Sequence, residues 1–236
     1  MGFKRVKERV SVIIPCYNAA SYVEQCLDSI AAQTYQHLEI IFVNDGSTDG
    51  MEKIVKEWRK KPSAKRFEKN NLFVMLNLPY NIGYAGSNTT GMFLARGEYL
   101  AIQDADDLSS PKRIERQISY LKKNPKVGMV GTYIGKFSGN NIHSYIKAGF
   151  IVNGSKQIAN KYLSLDKSGA SYGSLMFKAE IFDKIGGLVR QLPSNRTITG
   201  HDFLFIYKCL KSGVILENIP EVLYFYRKHD RQMSKG

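Results

Sequence analysis

Apolar residues in this chain fall into short runs of strand length, separated by stretches in which apolar positions recur at helical spacing. Between Val23 and Ile30, for example, they follow the i, i+3, i+4, i+7 pattern of one helix face. Further helices are predicted around Ile54–Trp58, Met92–Ala95 and Ile114–Leu121, from Ala179, and around Phe203–Leu210. The predicted strands are Val10–Ile14, Leu38–Asn44, Leu72–Leu76, Tyr99–Ile102, Val127–Thr132, Tyr172–Lys178 and Val222–Arg227.

Strands that alternate with helices predict an α/β fold, with an open, mostly parallel, twisted sheet flanked by helices in a Rossmann-like arrangement. We expect Pro15 to end the first strand, and Ser21 and Ser47 or Thr48 to cap the helices that follow. From Tyr133 to about Leu165 the pattern blurs, and we interpret this stretch as a partner-facing insertion. No repeat or linker is evident, so a single domain over residues 1–236 is predicted.

Polar clusters follow three of the predicted strands, at Tyr17-Asn18, Asn44-Asp45 and Asp104-Ala105-Asp106. Because ligands bind beyond the carboxyl ends of the strands in such sheets, the three clusters can share one crevice. The segment PCYNAAS after the first strand lacks the glycines of a dinucleotide-binding loop, and no Walker A loop is present. A nucleotide would therefore be held through a metal ion and not through a glycine-rich loop.

The acidic cluster has three carboxylates in four residues, Asp104, Asp106 and Asp107, directly after a buried strand. Their mutual repulsion calls for a cation, and the i, i+2 spacing lets Asp104 and Asp106 converge on one ion or on one ion and its ligand. Oxygen ligands suit Mg²⁺ or Mn²⁺, which keep positions open for water and substrate phosphates. The alternative is that the cluster only caps the helix starting near Ser110-Pro111, although one aspartate would be enough for that.

The net charge of +13 over 236 residues favours a polyanionic partner, which could be nucleic acid, an anionic membrane surface or a phosphorylated substrate. Much of the excess lies in one run, which is either a binding patch or a solvated helix end: Lys56, Arg59, Lys60, Lys61, Lys65, Arg66 and Lys69. The three cysteines lack zinc spacing and predict reduced thiols. With no secretory signal and no run of about 20 apolar residues, we expect a cytoplasmic protein, soluble or peripheral at the inner face of a membrane.

Five segments, in this order, resemble the nucleotide-sugar glycosyltransferases of family 2: VSVIIPCYNAASYVEQCLDSIAAQTYQHLEIIFVNDGSTD, DADD, LMFKAEIFDKIGGL, GHD and YRKH. The resemblance runs from about Val10 to His229. It implies the A-type glycosyltransferase fold, with a nucleotide-binding half at about 8–110 and an acceptor-binding half at about 111–230. It also implies inverting transfer from a UDP-activated sugar, with Mn²⁺ or Mg²⁺ as cofactor.

The resemblance also implies roles for individual residues. Asp45 would accept the N3 proton of uracil, Asp104 would contact ribose or metal-bound water, and Asp202 would be the catalytic base. The implied nucleotide-binding residues are Pro15, Tyr17, Asn18, Asp45, Gly83, Asp104 and Arg227, and the implied metal ligands are Asp106, Asp104 and His229. Asp45 could instead be a turn residue and Asp202 a helix N-cap.

Departures from the family pattern qualify these roles. His201 stands where the family often has an acidic residue, and it is either a donor behind the base or a solvent-facing side chain. Ser87-Asn88-Thr89 replaces the common Ala-Arg-Asn, so an expected arginine is missing. The Gln-x-x-Arg-Trp motif of processive members is absent, which favours addition of single sugars.

Three functions remain. The first is a metal-dependent inverting hexosyltransferase that makes one bond to a glycan or lipid-linked acceptor. The second is a non-catalytic nucleotide-sugar or glycan-binding module, which the presence of both Asp106 and Asp202 disfavours. The third, nucleic-acid binding, lacks an aromatic-rich RNA signature or a basic recognition helix, so no nucleic-acid partner is expected.

Overall fold

The computed structural model describes residues 4–139, 141–166, 169–189, 200–230 and 232. Over these residues the strands are β1 (Val6–Cys16), β2 (Leu38–Asn44), β3 (Phe73–Asn77), β4 (Gly97–Ile102), β5 (Leu108–Ser109), β6 (Val127–Ser138), β7 (Ile146–Lys147), β8 (Met176–Lys178) and β9 (Ile215–Lys228). The helices are α1 (Val23–Ala31), α2 (Met51–Trp58), α3 (Lys65–Lys69), α4 (Gly83–Leu94), α5 (Arg113–Lys123), α6 (Ser155–Leu163), α7 (Ala179–Ile185) and α8 (His201–Lys211).

The described strands form one sheet in the order β3-β2-β1-β4-β8-β6-β9-β5, with β7 paired to β6. The long pairs β1–β2, β1–β4, β2–β3 and β6–β9 are parallel, whereas the short strands β5, β7 and β8 pair antiparallel. This confirms the predicted α/β class with a mostly parallel sheet. None of the described helices combines the length and the apolar character that a membrane crossing requires.

Helices cover both faces of the sheet, because successive side chains of a strand point to opposite sides. In β1, Val12 and Ile14 pack with α1, α2 and α5, while Ile13 packs with α4, α6, α7 and α8. The three cysteines are buried and unpaired, as predicted.

Pro15 does not end the first strand, and this prediction was wrong. β1 continues to Cys16, with Pro15 opposite Val43 of β2. Alternate residues of a strand bond to opposite neighbours, and Ile13 bonds toward β4, so the Pro15 nitrogen also faces that side. Because β4 ends at Ile102, opposite Ile13, no ladder bond is lost there.

The predicted helix caps were also wrong. The cap positions of α1 and α2 are Tyr22 and Gly50, and neither helix has a side-chain cap. The polar side chains near these starts bond across loops instead, as described below.

The stretch from Tyr133 to about Leu165 was predicted as an insertion, but its first residues belong to the sheet. β6 continues to Ser138 and pairs with β9 as far as Lys228. The single strand predicted from Tyr172 is a 3₁₀ turn at Tyr172–Ser174 followed by β8.

α4 is far longer than predicted because its small residues let it approach the sheet closely. A Cβ at Gly91 would lie 2.6 Å from a methyl carbon of Ile13.

Candidate functional site

The predicted site residues lie at the carboxyl ends of β1, β2 and β4, at the end of β9, and at the first turns of α4 and α8. All of them fall within the described residues. Pro15 is buried in β1, and the Tyr17 side chain that follows is 52% exposed at the rim.

The loops after β1 and β2 are bonded to each other. The Asn18 backbone N–H donates to Ser47 Oγ at 3.0 Å, and the Thr48 N–H donates to Asn18 Oδ1 at 2.9 Å. Asn18 has a φ of +50°, a conformation that asparagine tolerates better than most residues. These bonds join the two loops into one wall at this edge of the sheet.

Asp45, the first residue after β2, joins the loop after β2 to the segment before α4. It is 2% exposed, and its Oδ1 accepts a 2.7 Å hydrogen bond from the Ile82 backbone N–H. Burial raises the pKa of this carboxyl, while the N–H groups of Ile82 and Gly83 act in the opposite direction. Asp45 thus binds the start of α4, and its proposed contact with a base stays a prediction.

Asp104 is held by two tyrosine hydroxyls. Tyr84 Oη donates to Oδ1 at 2.8 Å, and Tyr224 Oη donates to Oδ2 at 3.3 Å. Burial, followed by the charge of Asp106, raises the pKa of Asp104 to about 6. The fit is close, because a Cβ at Gly173 would lie 2.5 Å from Asp104 Oδ2.

Asp106 and His229 form the accessible pair of the rim. Asp106 Oδ2 lies 2.9 Å from His229 Nε2, and the two side chains are 29% and 12% exposed. The His229 ring packs on Tyr22, with the ring centroids 4.4 Å apart. The structure therefore brings together two residues that lie 123 positions apart and were both predicted as metal ligands.

Arg227 is 1% exposed and contacts protein groups. Its Nε donates to the Asp106 carbonyl oxygen at 2.8 Å, its Nη2 donates to Gln25 Oε1 at 2.7 Å, and its Nη1 donates to the Gly139 carbonyl oxygen. Its backbone N–H donates to Asp107 Oδ1 at 2.7 Å. Arg227 therefore joins the end of β9 to the acidic loop, and its predicted contact with the diphosphate is untested.

Asp202 lies in the first turn of α8 with an exposed side chain. The cap position is Gly200, so Asp202 is not the N-cap, although its Oδ1 accepts from the Phe203 N–H at 2.8 Å. Phe205, in the same helix, packs edge-on against Tyr172, which packs against Tyr84, so the start of α8 is joined to the Asp104 cluster through aromatic contacts. The neighbouring His201 bonds through Nδ1 to the Val189 carbonyl oxygen at 2.9 Å.

No group of three or more His, Cys, Asp and Glu side chains within the described ranges is arranged to hold a metal ion. The Asp106–His229 pair nevertheless fits an ion of the Mn²⁺ or Mg²⁺ type, which commonly takes few protein ligands and completes its shell with water and substrate phosphates. Both side chains are partly exposed, Asp106 more than His229, and a carboxylate is the ligand type that both Mn²⁺ and Mg²⁺ prefer.

Sequence reasoning missed three residues around Asp104: Tyr84, Tyr224 and Arg113. Arg113 is fully buried, stacks on the Tyr224 ring, and donates to the Ile102 and Gly173 carbonyl oxygens at 2.7 and 3.1 Å. A basic residue on the apolar side of a predicted helix was the available signal for Arg113. The two tyrosines had no such signal, because their hydroxyls meet Asp104 only in the fold.

Comparison with known proteins gives matches over most of the chain. A family model described as Glycosyl transferase family 2 matches residues 11–186. An uncharacterised glycosyltransferase of Haemophilus influenzae is 38% identical over 125 residues, which cover 53% of this chain and 36% of that protein.

Two solved structures share the fold. S. aureus TarS in complex with UDP-GlcNAc has a TM-score of 0.73 at 17% identity, covering 96% of this chain and 60% of the TarS chain. The mannosyltransferase PcManGT of Pyrobaculum calidifontis, in complex with GDP-Man and Mn²⁺, has a TM-score of 0.67 at 24% identity, covering 94% and 57%. This chain thus spans under two thirds of each of these three proteins.

Proposed function

This chain belongs to glycosyl transferase family 2, and we propose that it moves one sugar from a UDP-sugar to a hydroxyl group of a glycan or lipid-linked acceptor. The proposed reaction inverts the anomeric centre and uses a divalent metal. The observation that carries the proposal is the set of contacts at one rim that holds Asp45, Asp104 and the Asp106–His229 pair, with Asp202 in the first turn of α8. The ligands of TarS and PcManGT support a nucleotide-sugar donor.

On the donor side, we assign Asp45 to the base. A carboxylate that accepts the imide N–H of uracil disfavours cytosine, which presents an acceptor at that position. Pro15, Tyr17, Asn18 and Gly83 would line the base and ribose pocket. Asp104 would contact the ribose or metal-bound water.

Asp106 and His229 would hold the metal, with Arg227 behind the loop that carries Asp106. When bound, the metal supplies positive charge that stabilises the diphosphate leaving group, so no protein acid is needed there. The Mn²⁺ in PcManGT supports this cofactor class.

Asp202 is assigned as the base. The acceptor oxygen attacks C1 as the bond from C1 to the diphosphate oxygen breaks, and the hydroxyl proton moves to the Asp202 carboxylate. The position of Asp202 in the first turn of α8, with Oδ1 bonded to a backbone N–H, supports this role by limiting its motion. Three buried, unpaired cysteines support action in a reducing compartment such as the cytoplasm, with peripheral contact at the inner face of a membrane still compatible.

Calorimetry with UDP and GDP, each with and without Mn²⁺, tests the donor assignment. UDP should bind only with metal, and Asp106→Ala should weaken this binding by at least about 100-fold, the upper range for loss of a residue that merely supports a metal ligand. Glu180→Ala, which removes an exposed carboxylate of α7, should bind as the wild type does. Undiminished binding by Asp106→Ala would remove the proposed ligand.

Transfer is measured as UDP release from UDP-sugars with a panel of acceptor glycans. Asp202→Asn should bind UDP as the wild type does but release it about 10²–10⁴-fold more slowly, because the acceptor proton then lacks a base. Wild-type rates in this variant would overturn the assignment. Donor binding without release in the wild-type protein would favour the non-catalytic binding module.

A further inference from the structure

Asp104 needs hydrogen-bond donors because it is a buried carboxylate. Burial raises its pKa, and the charge of Asp106 and a smaller contribution from Asp202 act in the same direction. Hydrogen bonds to the charged form offset these effects. The two donors to its oxygens are Tyr84 Oη at 2.8 Å and Tyr224 Oη at 3.3 Å.

Tyr224 contacts Asp104 from β9. It is fully buried on β9, and the guanidinium of the buried Arg113 stacks on its ring at 4.9 Å. Its hydroxyl oxygen also accepts from the Asp104 backbone N–H at 3.2 Å. The Tyr224 hydroxyl is therefore shared between the backbone N–H and the carboxylate of Asp104. Its 3.3 Å bond to the carboxylate is longer than the 2.8 Å bond from Tyr84.

Tyr84 belongs to a different part of the site, the first turn of α4. Two residues before it, the Ile82 N–H bonds Asp45 Oδ1 at 2.7 Å. One helical turn thus contacts two carboxylates, Asp45 through a backbone N–H and Asp104 through a side-chain hydroxyl. The Tyr84 ring is supported edge-on by Tyr172, with the centroids 6.3 Å apart.

We propose that Tyr84 is a positioning residue of the donor site: its hydroxyl fixes the Asp104 carboxylate and couples it, through the first turn of α4, to Asp45. The inference rests on the proposed function only for its consequence, which is tighter binding of nucleotide and metal. The position of Asp104 itself can be observed without any ligand.

Tyr84→Phe removes the hydroxyl and keeps the ring. Tyr172→Phe is the matched control, because its hydroxyl belongs to the same cluster but donates to Asn88 Oδ1 at 3.4 Å and not to Asp104. In ligand-free crystal structures, the Asp104 carboxylate should rotate away from position 84 in Tyr84→Phe and remain in place in Tyr172→Phe. An unmoved Asp104 in Tyr84→Phe would overturn the proposal whatever the protein binds.

The second readout is the affinity for UDP titrated in the presence of Mn²⁺. Tyr84→Phe should weaken it by about 10- to 100-fold, the range for residues that orient metal-site ligands, and Tyr172→Phe by less than about twofold. Combining Tyr84→Phe with Asp104→Asn should add little to the loss from Asp104→Asn alone, because both changes remove the same interaction. Equal losses of affinity in Tyr84→Phe and Tyr172→Phe would show that Tyr84 has a merely structural role. Fully additive losses from Tyr84→Phe and Asp104→Asn would show the same.

The two arms separate the possible failures. If the wild-type protein binds no nucleotide, the proposed function fails, and the crystal structures still decide whether Tyr84 positions Asp104. If the wild type binds and Tyr84→Phe binds equally well, the donor-site part of the proposed function stands and this inference fails.

Discussion

Neighbouring aspartates of the acidic loop have different environments. Asp104 lies between two hydroxyls, Asp106 reaches the surface beside His229, and Asp107 is fully buried under the backbone of Arg227. Burial and the neighbouring charges raise the pKa values of Asp104 and Asp107. Carboxylates placed where ionisation is disfavoured destabilise the ligand-free protein, and such groups are concentrated at functional sites.

This placement predicts a pH-dependent stability. The ligand-free fold binds the Asp104 proton more tightly than the unfolded chain does, since the pKa of Asp104 is about 6 in the fold against an ordinary value of 3.8. The stabilisation that comes from proton binding at Asp104 is therefore fully present below pH 3.8 and is lost as the pH rises through about 6. Asp104→Asn should stabilise the metal-free protein more at pH 8 than at pH 5, by about 1 kcal/mol, in urea unfolding. A gain independent of pH would contradict this prediction.

The elements around Asp45 are connected by hydrogen bonds between their loops, and α1 and α2 have no side-chain caps. Polar side chains in the loops after β1 and β2 accept hydrogen bonds from backbone N–H groups of the opposite loop, as in the 2.7 Å bond from the Ala20 N–H to Asp49 Oδ2. The loop after β2 also lies directly against the segment before α4. A Cβ at Gly46 would be 2.7 Å from the Tyr80 carbonyl carbon and 2.8 Å from the Asn81 nitrogen.

A pair of glycine substitutions tests this contact. Gly46 and Gly50 both have positive φ, +71° and +80°, but a Cβ at Gly50 would meet nothing within 4 Å. Gly50→Ala should therefore cost only about 1–2 kcal/mol of unfolding free energy, from the backbone conformation. Gly46→Ala should cost about 1–3 kcal/mol more, because backbone must move, and should also weaken UDP binding. Chemical denaturation giving equal losses would show that the close approach is unimportant.

At the scale of the whole molecule, four of the seven residues in the sequence-predicted basic run form ion pairs with glutamates. Lys56, Arg59, Lys60 and Lys61 pair with Glu52, Glu68, Glu57 and Glu24, at distances from 2.6 to 2.7 Å. Arg66 donates to Gln36 and covers the Phe67 ring. This run is therefore better described as a salt-bridged helical surface than as a patch for a polyanion.

We accordingly expect weak, nonspecific binding of nucleic acid. A labelled single-stranded oligonucleotide should bind no more tightly than about 10⁻⁶ M at physiological salt, the range of nonspecific electrostatic contacts, and UDP with Mn²⁺ should not displace it. Fluorescence anisotropy at two salt concentrations measures both properties. Nanomolar affinity, or displacement by UDP, would revive nucleic-acid binding as a function.

The alternation of strands and helices predicted the first half of the fold well, because β2 and α1 carry their full hydrophobic pattern locally. Prediction failed where tertiary contacts override local signals. Small residues of α4, such as Gly91, give little helix signal but fit against β1. The second half of β6 exists because β9 pairs with it over its whole length.

For the site, the sequence by itself determined the family resemblance, the sheet class and the identity of the acidic residues, since all of these follow from short local patterns. Only the tertiary structure decided their environments. It joined Asp106 to His229 across 123 positions, buried Arg227 against the acidic loop, and brought the hydroxyls of Tyr84 and Tyr224 to Asp104. Such partners come from distant elements, and burial and electrostatic environment depend on every segment that packs around a group.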